Sequence, residues 1–323
     1  MYYTAAFSAV ALLAVNFCLT SLFRKRAGDS PSAAVPFNML GGAAAFLALF
    51  AVEAIISGSL PDFSLFSLIF AAGSALLCGL YLLIGFKIMS IGSVSVYTLF
   101  LMLGGMALPY FYGMIFLGEY GQTESLIFPG LLPESLALPF RITGFILMIA
   151  SVLISGLSSA GREGSKKGSP KFFLLCAAVF LLNGAVSILS KTHQLPEYSE
   201  LSVSTGSYVM LCSLSKAVIF SAAFLCLYIL QKRSGKSPAP VALPFFDRRS
   251  VLLILLCSAA DCVSYYLQLF GASGLPASVL YPLITGGSVI LTTVCGALFF
   301  GERPSKKAVS GALLCLLSTF FFL

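Results

Sequence analysis

Apolar residues fall into ten long runs along the chain, and short polar segments separate them. A helix needs about 20 apolar residues to cross the hydrocarbon core of a bilayer, so runs of this length are typical of membrane-spanning helices. Ser30-Pro31, Pro61-Asp62 and the glycine-rich stretch 161–170 lie between neighbouring runs, as proline and glycine often do. The pattern predicts helices at 3–23, 36–58, 63–86, 93–117, 138–159, 171–190, 206–230, 250–270, 276–300 and 307–323.

Composition leads to the same class of protein. Of the 323 residues, 59% are hydrophobic and only 10% are charged, whereas a soluble domain carries about 25% charged residues. No water-soluble fold of this length can cover so much apolar side chain with so few polar groups. The nine cysteines all lie in apolar runs, so we expect no disulfide framework. The predicted fold class is an all-α integral membrane protein with ten transmembrane helices.

The distribution of basic residues predicts how the chain is inserted. The connections after helices 1, 3, 5, 7 and 9 hold sixteen of the nineteen lysine and arginine residues. The other side has only Arg141 and Lys191, both at predicted helix edges, and Lys216 lies inside a helix. The positive-inside rule then puts both termini outside the cell. The net charge of +7 therefore reflects topology, and we expect no nucleic-acid partner.

Two distant parts of the chain repeat each other. A shift of 183 residues aligns Met89–Glu119 with Ala272–Glu302 without a gap, and nine of the 31 positions are identical. A second shift, of 167 residues, aligns Asn16 with Asn183. Apolar composition alone does not favour such polar matches, so the chain contains an internal repeat. Further aligned pairs are Gly118-Glu119 with Gly301-Glu302, and Arg24 with Lys191.

The repeat divides the chain into residues 1–160, a basic linker at 161–170 and residues 171–323, with five predicted helices in each half. Five is an odd number, so the second half enters the membrane from the opposite side to the first. We therefore predict two inverted-topology five-helix repeats, an architecture that many secondary transporters share. In such folds the substrate binds near the midplane, between the halves.

A family resemblance follows from the repeated tracts. The tracts GSVSVYTLFLMLGGMALPYFYGMIFLGE and ASVLYPLITGGSVILTTVCGALFFGERPS resemble the fourth and ninth helices of EamA-like members of the drug/metabolite transporter superfamily. The tracts RITGFILMIASVLIS and AVSGALLCLLSTFFF resemble the fifth and tenth helices. The resemblance implies a ten-helix transporter that takes up or exports metabolites. It also implies cytoplasmic termini, which is the opposite of the orientation that the basic residues predict.

Three ionisable residues lie well inside predicted helices, namely Glu53, Lys216 and Asp261. A charge at the bilayer centre costs about 2.5–3.5 kcal/mol on insertion scales, so each residue needs a partner, a water-filled cavity or a route to the interface. The simplest hypothesis is a Lys216–Asp261 pair. The pair either lines the cavity, where it binds a charged substrate group or exchanges a proton, or it is a static contact between helices. Glu53 is near a helix end and is expected to reach the interface.

Neutral polar residues extend this candidate site. Asn16 and Asn183 occupy equivalent places, and a position at the cavity and a hydrogen bond between helices are both open for them. In the relatives, helices 3, 4, 8 and 9 contribute to the central cavity, so their tyrosines are candidates for substrate contact, with packing as the alternative. The predicted substrate-binding residues are Asn16, Asn183, Lys216, Asp261, Tyr97, Tyr265, Gln268 and Tyr281.

Proline and glycine residues in helices 4 and 9 are candidate hinges. Pro109 and Pro282 lie inside these helices, where a proline removes a backbone hydrogen bond and bends the helix. Gly286 and Gly287 lie close to Pro282 and let helix backbones approach. These four residues are predicted to bend during alternating access, and close packing alone is the alternative.

Two further features are expected to be structural. Glu119 and Glu302 end helices 4 and 9, and we expect them to fix these ends at the membrane interface. His193 is the single histidine, and we expect it in a polar outer loop without a metal site, because a metal site needs more nitrogen or sulfur ligands.

The sequence as a whole favours a secondary transporter of a small organic solute. It contains no P-loop, so no ATP drive is expected, and a single histidine gives little basis for an enzyme. Lys216 favours an anionic or zwitterionic solute such as an amino acid. A flippase for a lipid-linked substrate is the alternative, followed by a receptor or structural protein. We expect a multi-pass plasma-membrane protein, monomeric or homodimeric and without cofactor, whose partners are the solute, the bilayer and, if transport is coupled, an ion.

Overall fold

The computed structural model describes residues 1–27, 31–57, 61–91, 94–119, 134–160, 170–233, 247–300, 306–319 and 321. These residues form ten α-helices and one short 3-10 helix, and no strand occurs among them. Each α-helix overlaps one of the ten predicted runs, which confirms the runs as helices. In chain order the helices are α1 Tyr2–Ala27, α2 Pro31–Ser57, α3 Leu65–Ile91, α4 Val94–Phe116, α5 Glu134–Ala160, α6 Pro170–His193, α7 Thr205–Arg233, α8 Arg248–Gly274, α9 Ala277–Phe300 and α10 Lys306–Thr319.

Proline and glycine mark several helix ends. Pro31 and Pro170 are the first residues of α2 and α6, where proline loses no helical hydrogen bond and its fixed φ suits the first turn. Gly118 follows α4 with a φ of 64°, a left-handed conformation that glycine adopts without a steric penalty. The chain therefore turns sharply after α4, and this turn directs Glu119 toward the start of α9.

Six helices in the described part of the chain, α1, α2, α3, α6, α7 and α8, are long and apolar enough to cross a membrane. Shorter apolar stretches, Phe100–Phe116, Leu138–Ser151 and Ala277–Thr292, belong to α4, α5 and α9. Large apolar side chains also cover the outside of the bundle, as at Leu174, which is 71% exposed. An apolar exterior of this extent suits lipid better than water, so the all-helical chain has the form of an integral membrane protein.

The helices of the two predicted halves, α1–α5 and α6–α10, pack against each other. α1 packs against α8 and α9, and α6 packs against α3 and α4. α2 packs against α7, α4 against α9, and α5 against α10. The predicted repeat makes each of α1–α5 equivalent to the helix five places later. Under this equivalence, the contacts of α1 with α8 and α9 correspond to the contacts of α6 with α3 and α4. The pairs α2–α7, α4–α9 and α5–α10 each join two equivalent helices. Equivalent helices of the two halves therefore have equivalent neighbours.

Two glycines allow the closest of these helix contacts. A Cβ on Gly42 of α2 would lie 2.9 Å from the backbone nitrogen of Ala217 on α7. A Cβ on Gly104 of α4 would lie 2.1 Å from the carbonyl oxygen of Phe180 on α6. Neither backbone can approach a side-chain carbon so closely, so these contacts depend on glycine. They hold α2 on α7 and α4 on α6 around the central cavity.

Candidate substrate cavity

A cavity of about 460 Å³ lies between the two halves of the bundle. Its lining residues come from α1–α4 and α6–α9, and no described residue of α5 or α10 lines it. The inner helices of each half therefore enclose the cavity together. α4 and α9 contribute residues at equivalent positions, 183 residues apart, which are Leu101, Met102 and Gly105, and Ile284, Thr285 and Ser288.

Lys216 and Asp261 lie side by side in the wall of this cavity. Lys216 Nζ on α7 is 3.4 Å from Asp261 Oδ2 on α8, and Asn16 Nδ2 on α1 donates to Asp261 Oδ1 at 3.1 Å. The side chains of Lys216 and Asp261 are 32% and 47% exposed, and all three residues line the cavity. The two charges are thus neutralised by each other and remain accessible to a solute.

The two equivalent asparagines make different contacts. Asn16 binds the Asp261 carboxylate, whereas Asn183 Nδ2 on α6 donates to the carbonyl oxygen of Leu101 on α4 at 2.7 Å. Gly105 makes room for this bond, since a Cβ there would lie 2.6 Å from Asn183 Nδ2. Asn183 therefore joins two helices and also lines the cavity. Its predicted contact with substrate stays a prediction.

One face of α8 supplies a row of polar groups. Asp261, Tyr265 and Gln268 are spaced by four and three residues, which places them on the same side of a helix, and all three line the cavity. Gln268 Nε2 donates to Ser264 Oγ at 3.2 Å. Tyr266 points the other way and is 38% exposed. The row runs from the charged pair toward the end of α8.

Two further tyrosines, Tyr281 and Tyr97, were predicted to contact substrate. Tyr281 on α9 lines the cavity, and its hydroxyl donates to the carbonyl oxygen of Ser187 on α6 at 2.6 Å. Tyr97 lies in α4, but its side chain is outside the part of the chain that the structure describes. Tyr281 therefore joins two helices at the cavity wall, and the substrate contact of both tyrosines stays a prediction.

The candidate hinges sit in closely packed helices. Pro109 lies inside α4 and Pro282 inside α9. Gly286 is buried in α9, and a Cβ on Gly287 would lie 2.9 Å from a methyl carbon of Val10 on α1. Close packing accounts for Gly287 in this conformation. The hinge role of the four residues stays a prediction.

Glu119 and Lys191 hold the turn between α8 and α9 from both sides. Glu119 is 3% exposed and accepts hydrogen bonds from the backbone nitrogens of Ala277 at 2.7 Å and Ser278 at 2.8 Å. Lys191 is 6% exposed and donates to the carbonyl oxygens of Ala272 and Leu275. An anion at a helix N-terminus and a cation at a helix C-terminus both interact favourably with the helix dipole.

These contacts add to two expectations from the sequence. Glu119 does fix a helix end, but that end belongs to α9, because the turn at Gly118 carries its side chain into the bundle. Lys191 lies in the last turn of α6, at a helix edge as predicted, and it is buried against the end of α8. Glu302, the equivalent of Glu119, is outside the described residues.

The prediction that His193 lies in a polar outer loop is wrong. His193 ends α6 and is 1% exposed. Its ring stacks on Tyr208 at 3.6 Å between centroids, and its Nε2 is 2.9 Å from Ser67 Oγ. The aromatic stacking and this hydrogen bond satisfy the imidazole inside the bundle. Among the described residues, no group of three His, Cys, Asp or Glu is placed to hold a metal ion.

Glu53 lies beside the start of α7. A Cβ on Gly206 would be 3.1 Å from Glu53 Oε2, so this carboxylate is close to the first turn of α7, where a negative charge is favoured. Its expected reach to the membrane interface stays a prediction.

Several serine and cysteine residues of the cavity wall gave no signal in the sequence. Ser74, Ser190 and Cys212 all line the cavity. Serine and cysteine are small and common in apolar helices, and Ser190 donates to the carbonyl oxygen of Val186 in its own helix. The sequence pattern therefore does not distinguish a cavity serine from a serine that packs against its own backbone.

Comparisons with known proteins concern the family and the fold of the chain. Residues 214–323 match the model of the EamA-like transporter family, which is part of the drug/metabolite transporter superfamily. This match confirms the resemblance over residues 214–323, which include the ninth and tenth helices, and the long apolar helices are those of a multi-pass membrane protein. No curated protein sequence matches the chain significantly.

Solved structures share the overall fold. One of them, described only as "Crystal structure of protein", is 15% identical, with a TM-score of 0.65. The alignment covers 99% of this chain and 95% of that chain. At this level of identity the likeness concerns the fold alone, and it extends over the whole helical bundle.

Proposed function

We propose that the chain is a secondary transporter that moves a small amino-acid-like solute, with an ionised amino or carboxylate group, across the plasma membrane by alternating access. The match to EamA-like transporters supports the transporter class. The observation that carries the solute class is the Lys216–Asp261 pair, because both of its charges are exposed to a central cavity. An ion pair that is open to the cavity keeps part of its hydration, so it can exchange partners with an ionised solute at a lower desolvation cost than a fully buried pair.

The pair suggests how an ionised solute binds. The two charged groups are 3.4 Å apart, so a solute amine can take the place of Lys216 at the Asp261 carboxylate, while a solute carboxylate pairs with Lys216. Such an exchange replaces one ion pair with two and avoids leaving a charge unpaired in a low-dielectric site. A zwitterion satisfies both groups at once. A coupling ion is compatible with this exchange.

We further propose that the architecture is ten membrane spans in two inverted repeats, residues 1–160 and 171–323, joined by the linker at 161–170. The equivalent neighbours of equivalent helices support this proposal, as do the equivalent lining positions of α4 and α9. Two rigid halves around one cavity are what alternating access requires. Pro109, Pro282, Gly286 and Gly287 would then be the points that bend.

The orientation in the membrane follows from the basic residues, and we propose that both termini lie outside the cytoplasm. An alkaline phosphatase fused after Leu323 is then active, because this enzyme folds only outside the cytoplasm, and a green fluorescent protein fused at the same place is dark. The reverse pattern would support the cytoplasmic termini that the EamA resemblance implies. The membrane fraction that carries the fusions identifies the host membrane.

A thermal-shift screen of the purified chain against pooled metabolites tests the proposed solute class. Solute at about 100 times its Kd adds roughly 2.7 kcal/mol of stability, which raises Tm measurably. We expect amino-acid-like solutes to raise Tm of the wild type, and this rise to be lost in Lys216→Ala. Lys171→Ala is the matched control, because Lys171 is exposed at the start of α6.

Each other outcome of the screen has a definite meaning. A rise that persists in Lys216→Ala would return Lys216 to a structural role. A rise with lipid-linked compounds only would favour a flippase over a solute transporter. No rise with amino acids, organic acids or amines would contradict the proposed solute class.

A further inference from the structure

Five hydroxyl and thiol side chains from four helices meet at one wall of the cavity. We call them the hydroxyl cluster, and they are Ser74 of α3, Ser190 of α6, Tyr208 and Cys212 of α7, and Tyr265 of α8. The Tyr208 hydroxyl faces Ser74, Cys212 and Tyr265, and all members except Tyr208 line the cavity. The cluster therefore presents neutral polar atoms to the same space that the Lys216–Asp261 pair faces.

Two hydroxyls of the cluster have unused hydrogen-bonding capacity. Ser74 Oγ and Tyr208 Oη are buried, and although the Tyr208 hydroxyl faces Ser74, Cys212 and Tyr265, neither oxygen has a partner at good hydrogen-bond geometry within the described part of the chain. Buried hydroxyls are ordinarily paired, because an unpaired one loses its hydration without compensation. Each can donate one hydrogen bond and accept others. Ser74 lines the cavity, so its hydrogen-bonding capacity is available to a group that enters the cavity.

Tyr265 adds an acceptor to these donors. Ser190 Oγ donates to the carbonyl oxygen of Val186 at 2.9 Å and lies 2.9 Å from Tyr265 Oη. A serine hydroxyl carries one proton, so Tyr265 is the donor to Ser190 and keeps lone pairs of its own oxygen. The cluster thus offers donors and acceptors without a formal charge. This combination suits a hydroxyl or an amide better than an ion.

The Tyr208 hydroxyl is held in place by its ring. His193 stacks on the Tyr208 ring at 3.6 Å between centroids. His193 is fixed in turn by Ser67 at its Nε2 and by Gln194 at its Nδ1, both at 2.9 Å. A hydroxyl on a clamped ring loses little freedom when a ligand binds it, which favours binding.

The cluster lies one helical turn from the charged pair on two helices. Cys212 precedes Lys216 by four residues on α7, and Tyr265 follows Asp261 by four residues on α8. At about 1.5 Å per residue, each step of four covers about 6 Å on one helix face. Tyr208 lies one further turn along α7. An elongated solute can therefore reach the pair and the cluster at the same time.

We infer that the hydroxyl cluster is a second subsite, which binds an uncharged hydrogen-bonding group of the same solute whose ionised group meets Lys216 and Asp261. The inference rests on the proposed function and narrows it to solutes with a hydroxyl or amide about 6–12 Å from the ionised group, a separation set by one to two helical turns. A phenolic amino acid has this form.

Three pairs of probes test the subsite, each pair differing by a single hydroxyl. They are tyrosine and phenylalanine, tyramine and phenethylamine, and 4-hydroxyphenylacetate and phenylacetate. Kd is measured by calorimetry on the purified full chain, on Tyr208→Phe and on Ser74→Ala. Tyr266→Phe is the matched control, since Tyr266 is on α8 but points away from the cavity.

For at least one pair, we expect the hydroxylated member to bind the wild type about tenfold more tightly or better, because a site built for a hydroxyl rejects the analogue that lacks it. The preference should fall to about twofold or less in Tyr208→Phe and Ser74→Ala, and it should persist in Tyr266→Phe. Tm of ligand-free Tyr208→Phe should not fall, because the hydroxyl it removes makes no well-formed hydrogen bond in the described structure. A fall in Tm would show that the hydroxyl is already bonded in the empty protein and would overturn the inference.

The remaining outcomes separate the subsite from the proposed function. Equal Kd within every pair that binds, or a preference that survives in both cluster variants, would overturn the subsite and leave the charged site standing. An ordered water alone would give this result. Absence of binding by all six probes, while amino-acid-like solutes still raise Tm in the screen, would overturn the subsite alone. Absence of binding both here and in the screen would contradict the proposed solute class, and the subsite would fall with it.

Discussion

At the scale of single residues, Asp261 is the centre of the site, because its two oxygens have separate partners on two other helices. Lys216 binds one oxygen and Asn16 the other. Removing either charge of the pair leaves the other charge in an apolar bundle without compensation. Removing both charges abolishes the pair without leaving an uncompensated charge.

We therefore predict that Lys216→Met and Asp261→Asn each lower the free energy of unfolding by about 1–2 kcal/mol, less than for a fully buried pair because the cavity admits water. The double variant should lose less than the sum of the two. Unfolding of the four proteins in detergent gives the coupling energy directly. Strict additivity would contradict the pair. Lys306→Met, at an exposed position in α10, should change little.

The sequence predicts the charged residues of the site better than the neutral ones. A lysine and an aspartate in mid-helix each need compensation in a membrane, so a Lys216–Asp261 contact is the simplest hypothesis from the sequence. Tyr208 and Ser190 carry no such requirement, since each can pack or bond within its own helix. Their meeting at the cavity depends on which helix faces are brought together, and only the structure shows this.

At the scale of elements, the turn between α8 and α9 is anchored by two charged side chains from other helices. Glu119 from the end of α4 caps the start of α9, and Lys191 from α6 caps the end of α8. The two side chains neutralise the dipoles of two helices that would otherwise end in an apolar environment. At Gly118-Glu119 the Gly-Glu motif has a structural role: the glycine turns the chain, and the glutamate caps the start of α9.

Glu119→Gln should lower the free energy of unfolding by about 1–2 kcal/mol, because an amide has one acceptor oxygen for two backbone donors and carries no charge. Thermal unfolding in detergent measures the change. Glu200→Gln is the control, since Glu200 is exposed in the connection between α6 and α7. An equal effect of the two substitutions would argue against the capping role of Glu119.

Helix positions were predictable because an apolar run that crosses a membrane must satisfy its backbone hydrogen bonds internally, which an α-helix does. All ten predicted runs are helices. The end of α6 was not predictable in the same way. Lys191 and His193 look like polar residues that leave the membrane, yet α8 supplies carbonyl acceptors to one and Tyr208 an aromatic surface to the other. Burial of a polar residue depends on neighbours from distant parts of the chain, which a local pattern does not contain.

At the scale of the whole molecule, four helices of each half surround one cavity, and equivalent helices have equivalent neighbours. The Lys216–Asp261 pair, in contrast, has no counterpart at the position of the first half that is equivalent to Asp261. The residue 183 positions before Asp261 is Cys78, which also lines the cavity. A single charged pair in this cavity fits the proposed transport through one solute site better than transport through two independent sites.

Uptake into proteoliposomes is the measurement that tests this account most directly. The purified chain is reconstituted, and accumulation of the solute that stabilises it most in the screen is followed in wild type, Asp261→Asn and the control Lys306→Met. We predict uptake above empty liposomes for wild type and the control, and a rate at least about tenfold lower for Asp261→Asn, equivalent to about 1.4 kcal/mol of lost transition-state stabilisation. Equal rates for Asp261→Asn and wild type, or no uptake by wild type of a solute that it binds, would contradict transport through this cavity.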